Sequence, residues 1–239
     1  PRQRGSNSQK NQLQPQRVRS WCIGKLDPAF FARMENLLHL YSLPYDPKYP
    51  LICFDERPCF LIGDVLTPIP MEAGQPKRQH YEYEKNGSCT IFLAFEPATG
   101  RRWIKVYRKR SGKEYTQFMQ YLTQQFPQAK KMRLVQDNLS THSASSFYAH
   151  LNPDLAFNLA QQLEFHFTPT KSSWLNMAEL ELSALSRQCL DRRIASMNQL
   201  QQQVTSWAAQ RNKHKVSVNW QFSIKSARNK FTDKYPKVK

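Results

Sequence analysis

Residues 134–142 read LVQDNLSTH. Met132, Leu134 and Val135 form a short apolar run with the length of a buried strand, yet the run stops on Asp137 and Asn138. A carboxylate left buried and unpaired is costly, so something must receive Asp137 at that strand tip. The same ending recurs upstream, where LICFDE (51–56) runs from apolar residues into Asp55 and Glu56. An α/β sheet presents its ligand-binding groups at strand tips, so Asp55 and Asp137 meet if their strands are neighbours. Two such carboxylates repel, and a divalent cation removes the repulsion; Mg²⁺ is held by a few carboxylates and keeps positions open for water and phosphate oxygens. Each Asp equally suits a plain turn-capping role, since Asp and Asn are ordinary turn residues.

The surrounding pattern is mixed. Asp27 and Pro28 start a helix carrying Phe31, Met34, Leu38 and Tyr41 at helical spacing until Pro44. Residues 64–80, with Pro68, Pro70, Gly74 and Pro76, read as an irregular basic insertion. CTIFLAF (89–95) and RWIKVY (102–107) flank turn residues and predict an antiparallel hairpin. Ser111 and Glu114 form a capping box for a helix through Tyr115, Phe118, Leu122 and Phe126. After the strand 132–137, short helices near 143–150 and 153–161 lead to a strand LEFHF (163–167) and a further helix. A last helix starts at Ser196, with Gln199 in its capping box and Met197, Leu200, Val204 and Trp207 on one stripe. The order predicts an α/β fold with a mixed sheet flanked by helices.

Charge narrows the partners. The 239 residues carry 35 Lys and Arg against 18 Asp and Glu, a formal charge of +17 and a pI near 9.8, a field that attracts polyanions, nucleic acid first. No run of 18 or more apolar residues exists, so the reading is a soluble protein. Five scattered cysteines, Cys22, Cys53, Cys59, Cys89 and Cys189, offer no zinc-ligand spacing and suit reduced thiols in a cytosol. The chain opens on Pro1 and a basic stretch without a signal-peptide core, which points to a fragment whose upstream segment is missing.

A third carboxylate would come from SWLNMAELELSALSRQCL (173–190), which supplies Glu179 and Glu181. They flank the stripe of Leu175, Ala178, Leu182, Leu185 and Cys189 on opposite sides, so periodicity leaves the choice open. Glu179 also suits a capping box with Asn176. At these residues the chain resembles a family. CFDE (53–56), QDNLSTH (136–142) and SWLNMAELELSALSRQCLDRR (173–193) are similar to the catalytic domain of bacterial insertion-sequence transposases related to the Tc1/mariner group, the IS630 family. The likeness runs from about Lys10 to Pro236 and includes YDPK (45–48), HYEYEKNG (80–87) and NWQF (219–222). Two departures accompany it: 41 residues separate Asp137 from Glu179, and Gln136 stands where an apolar residue is common.

The resemblance implies an RNase H-like fold with a five-stranded sheet, and a metal-dependent triad of Asp55, Asp137 and Glu179. It implies Mg²⁺ or Mn²⁺, two ions, acting in cleavage of transposon-end DNA and strand transfer into target DNA by a homodimer. It also implies an upstream helix-turn-helix region, and a bacterial cytoplasmic protein held to the nucleoid by DNA. The domain reading is a basic arm over 1–20, a linking helix and loop over 21–50, a catalytic core over 51–195, and a C-terminal helix with basic tail over 196–239. Lys77 and Arg78 in the insertion, and Arg101, Arg102, Lys109, Arg110 and Lys113 in the acid-free run 101–113, are the expected phosphate contacts. Trp103 and Tyr107 read as core, and His142 as a surface or cap residue. Two rival functions remain at this stage: an RNase H-like nuclease without strand transfer, and a domesticated, inactive DNA-binding module.

Overall fold

The computed structural model describes residues 26–236, so the basic arm and Cys22 lie outside the described residues. Helix α1 (Pro28–Ser42) starts where Asp27 accepts the Phe30 N–H at 2.9 Å with Pro28 in the first turn, and it buries Phe31, Met34 and Leu38. Five strands follow in one sheet: β1 (Leu51–Asp64), β2 (Tyr83–Glu96), β3 (Arg101–Tyr107), β4 (Met132–Gln136) and β5 (Leu163–Phe167). Their spatial order is β3-β2-β1-β4-β5. β1 pairs antiparallel with β2 and β2 with β3, whereas β1, β4 and β5 are mutually parallel.

Side chains alternate across the sheet and build two cores. Cys53, Leu93, Ile104 and Val135 face α1, α5 (Ala178–Gln188) and α6 (Met197–Lys213). Ile52, Phe54, Phe92 and Leu134 face α2 (Gly112–Thr123), α3 (Ala144–His150) and α4 (Pro153–Gln162). The sheet is therefore covered on both faces, the mixed α/β arrangement that the sequence predicts. Trp103 is buried against Phe126, with ring centroids 4.9 Å apart.

The two long strands depart from the sequence reading. β1 does not end at Asp55 but runs on to Asp64, paired with a β2 that starts at Tyr83 rather than at Cys89. Most of the added β2 residues are exposed, so no apolar alternation marks them; the ladder is held by backbone hydrogen bonds that composition does not report. The insertion at its tip carries isolated antiparallel bridges, Ile69 to Arg78 and Glu72 to Gln75. The basic tail likewise contains a helix, α7 (Ile224–Lys230), capped by Ser223. Cys53, Cys59, Cys89 and Cys189 are free thiols, and no helix among the described residues is long and apolar enough to cross a membrane.

Candidate active site

Register brings the two aspartates together. Cys53 of β1 lies opposite Val135 of β4 in the parallel pair, so two residues further along Asp55 comes level with Asp137. β4 stops at Gln136, which leaves Asp137 just past its strand with the side chain 39% exposed. Asp55 instead sits mid-strand, beyond the last pair that β1 makes with β4. Being two residues from Cys53, it points to the α5 face. There Asn176, buried just ahead of α5, donates from Nδ2 to the Phe54 carbonyl at 2.8 Å and approaches Asp55 Oδ2 at 3.5 Å. Its Oδ1 accepts the Ala178 N–H at 3.1 Å. Asn176 thus ties the first turn of α5 to β1, and Glu179 stands in that turn.

Burial raises the Asp55 carboxyl to about 7, helped by the negative charges of Glu179, Glu56 and Asp137 and opposed by a hydrogen bond from the Glu56 N–H. Four carboxylates therefore share one pole of the sheet closely enough to feel one another. Among the described residues no three acidic, His or Cys side chains stand as a ready ligand set. The backbone register and the Asn176 tie fix where the side chains of Asp55, Asp137 and Glu179 start. An all-oxygen donor set of like charges fits a hard divalent cation.

The neighbouring acid, Glu56, points to the opposite face, where it is buried beside His142. His142 Nδ1 lies 2.5 Å from Asp137 Oδ1, and its Nε2 lies 3.1 Å from Glu56 Oε2. The second approach lacks hydrogen-bond alignment and holds Glu56 as an ion pair; Arg110 reaches the other Glu56 oxygen at 3.5 Å. Burial by itself lowers the pKa of the imidazole, but Asp137 and Glu56 outweigh it and push the ring up to about 9. At 1% exposure His142 is no surface residue, a correction that follows from two carboxylates converging on the ring.

A family model described as DDE superfamily endonuclease matches residues 50–201. The chain belongs to the DDE superfamily endonucleases. No curated protein sequence matches it. Among solved structures it is similar to the Mos1 mariner paired end complex with Mn, at 16% identity and a TM-score of 0.58 over 88% of this chain and 65% of that one. The Mos1 strand transfer complex matches at 16% identity and a TM-score of 0.56, covering 85% and 61% of the two chains. A pre-cleavage Mos1 transpososome matches at 14% and 0.56, covering 90% and 71%. This chain thus spans about 65% of the length of the first of these neighbours. The likeness shows a shared RNase H-like fold.

The basic run of this DDE endonuclease chain splits in two. Arg102 is buried, a correction to its reading as a DNA contact: it pairs with Glu181 and donates to the carbonyls of Gly100 and Val216. Arg101 is exposed and lies over Trp103 at the hairpin end of β3. Lys109 and Arg110, between β3 and α2, and Lys113, in the first turn of α2, are exposed at the far end, on the side where Arg110 meets Glu56. Lys77 and Arg78 are exposed on the insertion at the end of the β1–β2 hairpin.

Glu181 is buried between Arg102 and Arg211. Its position two residues beyond Glu179 turns it toward β3 and α6, whereas Glu179 faces Asp55. Sequence reasoning named Glu56, His142, Gln136 and Asn176 but gave none of them a role in the site. The strict alternation along CFDE carries one usable signal, since it places Asp55 and Glu56 on opposite faces of the strand.

Proposed function

We propose that this chain is the catalytic domain of a DNA transposase of Tc1/mariner type, in the IS630 family. It cleaves transposon-end strands and joins them to target DNA, with Mg²⁺ or Mn²⁺ held by Asp55, Asp137 and Glu179. The observation that carries this reading is the convergence of three elements on one pole: the β1–β4 register, which levels Asp55 with Asp137, and the Asn176 tie, which brings α5 and Glu179 to Asp55. Divalent ions held by Asp55, Asp137 and Glu179 would supply activation of the attacking water or 3′-hydroxyl and charge stabilisation of the leaving oxygen.

The chain's own residues supply the rest. Asp55, Asp137 and Glu179 would present their oxygens from three separate elements: β1, the loop after β4 and the first turn of α5. Lys109, Arg110 and Lys113 line the adjoining corner, where they bind backbone phosphates and offset the repulsion between DNA and the acidic pole. The strand-transfer step, the homodimer on DNA and the IS630 assignment rest on the sequence resemblance.

The test is cleavage of a DNA end with Mg²⁺ or Mn²⁺, with the end-recognition region supplied, followed by joining of a pre-cleaved end. Asp55→Ala and Asp137→Ala are expected to abolish cleavage and keep DNA affinity. Full cleavage by either variant sinks the triad. Cleavage without joining favours a nuclease, and wild-type inactivity with intact DNA binding favours an inactive binding module.

A further inference from the structure

Asp137 lies in a loop past its strand, so β4 alone does not fix its carboxylate. The loop is closed from behind. Gln136, fully buried, donates from Nε2 to the His142 carbonyl at 2.8 Å and accepts the Tyr115 hydroxyl on Oε1 at 2.8 Å. The His142 N–H donates to the Leu139 carbonyl at 2.9 Å. The imidazole stacks on Tyr115 at 4.9 Å and meets the edge of Phe54 at 5.3 Å. Ring position is thus set by four residues on α2, β1 and β4 and in the loop itself. Gln136, the polar residue before Asp137, has a structural reason, because an apolar side chain could not hold the His142 carbonyl and the Tyr115 hydroxyl.

We propose that His142 is a positioning residue for Asp137. Its Nδ1–H holds Oδ1 and leaves Oδ2 to the cation, while Glu56 anchors the ring from the far side. The inference rests on the reading of Asp137 as a metal ligand. Carboxylates accept but do not donate, so the 2.5 Å contact is a hydrogen bond given by Nδ1–H to Asp137. Hydrogen-bonded partners that orient metal ligands in this way typically contribute about 10–100-fold in metal affinity.

The test measures Mn²⁺ binding by electron paramagnetic resonance on the purified chain, without DNA and without turnover. Asp137→Ala is expected to remove a wild-type Mn²⁺ site. His142→Ala should weaken that site by about 10–100-fold, and His142→Asn, whose amide nitrogen sits near the position of Nδ1, should recover most of the loss. Deleting one member of a buried pair can unfold the chain; the double variant Glu56→Gln/His142→Ala removes both charges, and its folded form should show the same weakened site. A role confined to stability lowers the melting temperature and leaves the affinity of folded protein unchanged. Wild-type Mn²⁺ affinity in folded His142→Ala or in the double variant overturns the inference alone. Failure to find any wild-type site that Asp137→Ala abolishes overturns the ligand reading of Asp137, and the inference with it.

Discussion

Glu179 and Glu181 are chemically identical and two positions apart, yet their surroundings give them opposite work. Glu179 stands half-exposed at the acidic pole, where its charge helps to raise Asp55. Glu181 is 2% exposed and accepts from Arg211 Nε at 3.1 Å and Nη2 at 2.9 Å, as well as from Arg102. Glu179→Gln should therefore stop metal-dependent cleavage at little cost to stability, because a neutral amide is a poor ligand for a hard cation. Glu181→Gln should do the reverse. It leaves Arg102 buried without its counter-charge, at a cost of roughly 3 kcal/mol, and the molecules that remain folded should still cleave. Thermal unfolding and a cleavage assay on both variants separate the two; an inactive but stable Glu181→Gln would reverse the assignment. Sequence periodicity did not distinguish this pair, because both flank the same apolar stripe. Arg102 separates their surroundings, coming from a strand 79 residues away along the chain.

Among the elements, the β2–β3 hairpin shows how a turn becomes a docking point. Gly100 has φ +70°, a left-handed conformation that favours glycine. A Cβ there would come within 2.7 Å of the Lys215 carbonyl carbon and 2.9 Å of that of Val216. The turn thus packs against the segment that follows α6, close to where Arg102 donates to the Val216 carbonyl at 2.6 Å. Gly74 has a similar φ of +77° but nothing within 4 Å of its missing Cβ. Gly74→Ala should cost only the left-handed strain, about 1 kcal/mol. Gly100→Ala adds a backbone clash and should cost roughly 3 kcal/mol. Urea unfolding of the two variants measures the difference, and equal costs would show that the docking contact contributes nothing. The glycine turn was legible in sequence; its partner was not, because the contact joins segments over a hundred residues apart.

Over the whole molecule, the charge of +17 is spread unevenly. Four carboxylates gather at the acidic pole, and Lys109, Arg110 and Lys113 stand on one corner beside it. DNA affinity should fall linearly on logarithmic axes of salt, with a slope of roughly −0.9 per phosphate contact. Replacing Lys109, Arg110 and Lys113 together by Gln should flatten the slope by roughly 2 to 3. Arg101→Gln, at the other end of β3, should change it far less. Anisotropy titrations between low and moderate salt measure both, and an unchanged slope in the triple variant would remove this corner from the interface.

Local pattern was enough for the element order, for most caps and for the core stripes, because helix and strand periods and capping chemistry act over a few residues. The caps at Asp27, Ser111 and Ser196 and the buried stripe from Leu175 to Cys189 lie where the sequence placed them. The motifs around Asp55, Asp137 and Glu179 also marked the three elements that converge. Only the tertiary structure decided what lies between them: the continuation of β1 past Asp55, the Asn176 tie to Phe54, the burial of Arg102 on Glu181, and the placement of His142 between Asp137 and Glu56. Apart from the five-residue span between Asp137 and His142, each is a pairing of polar groups distant in the sequence. Its energy depends on distance and burial, which alternation and composition do not encode.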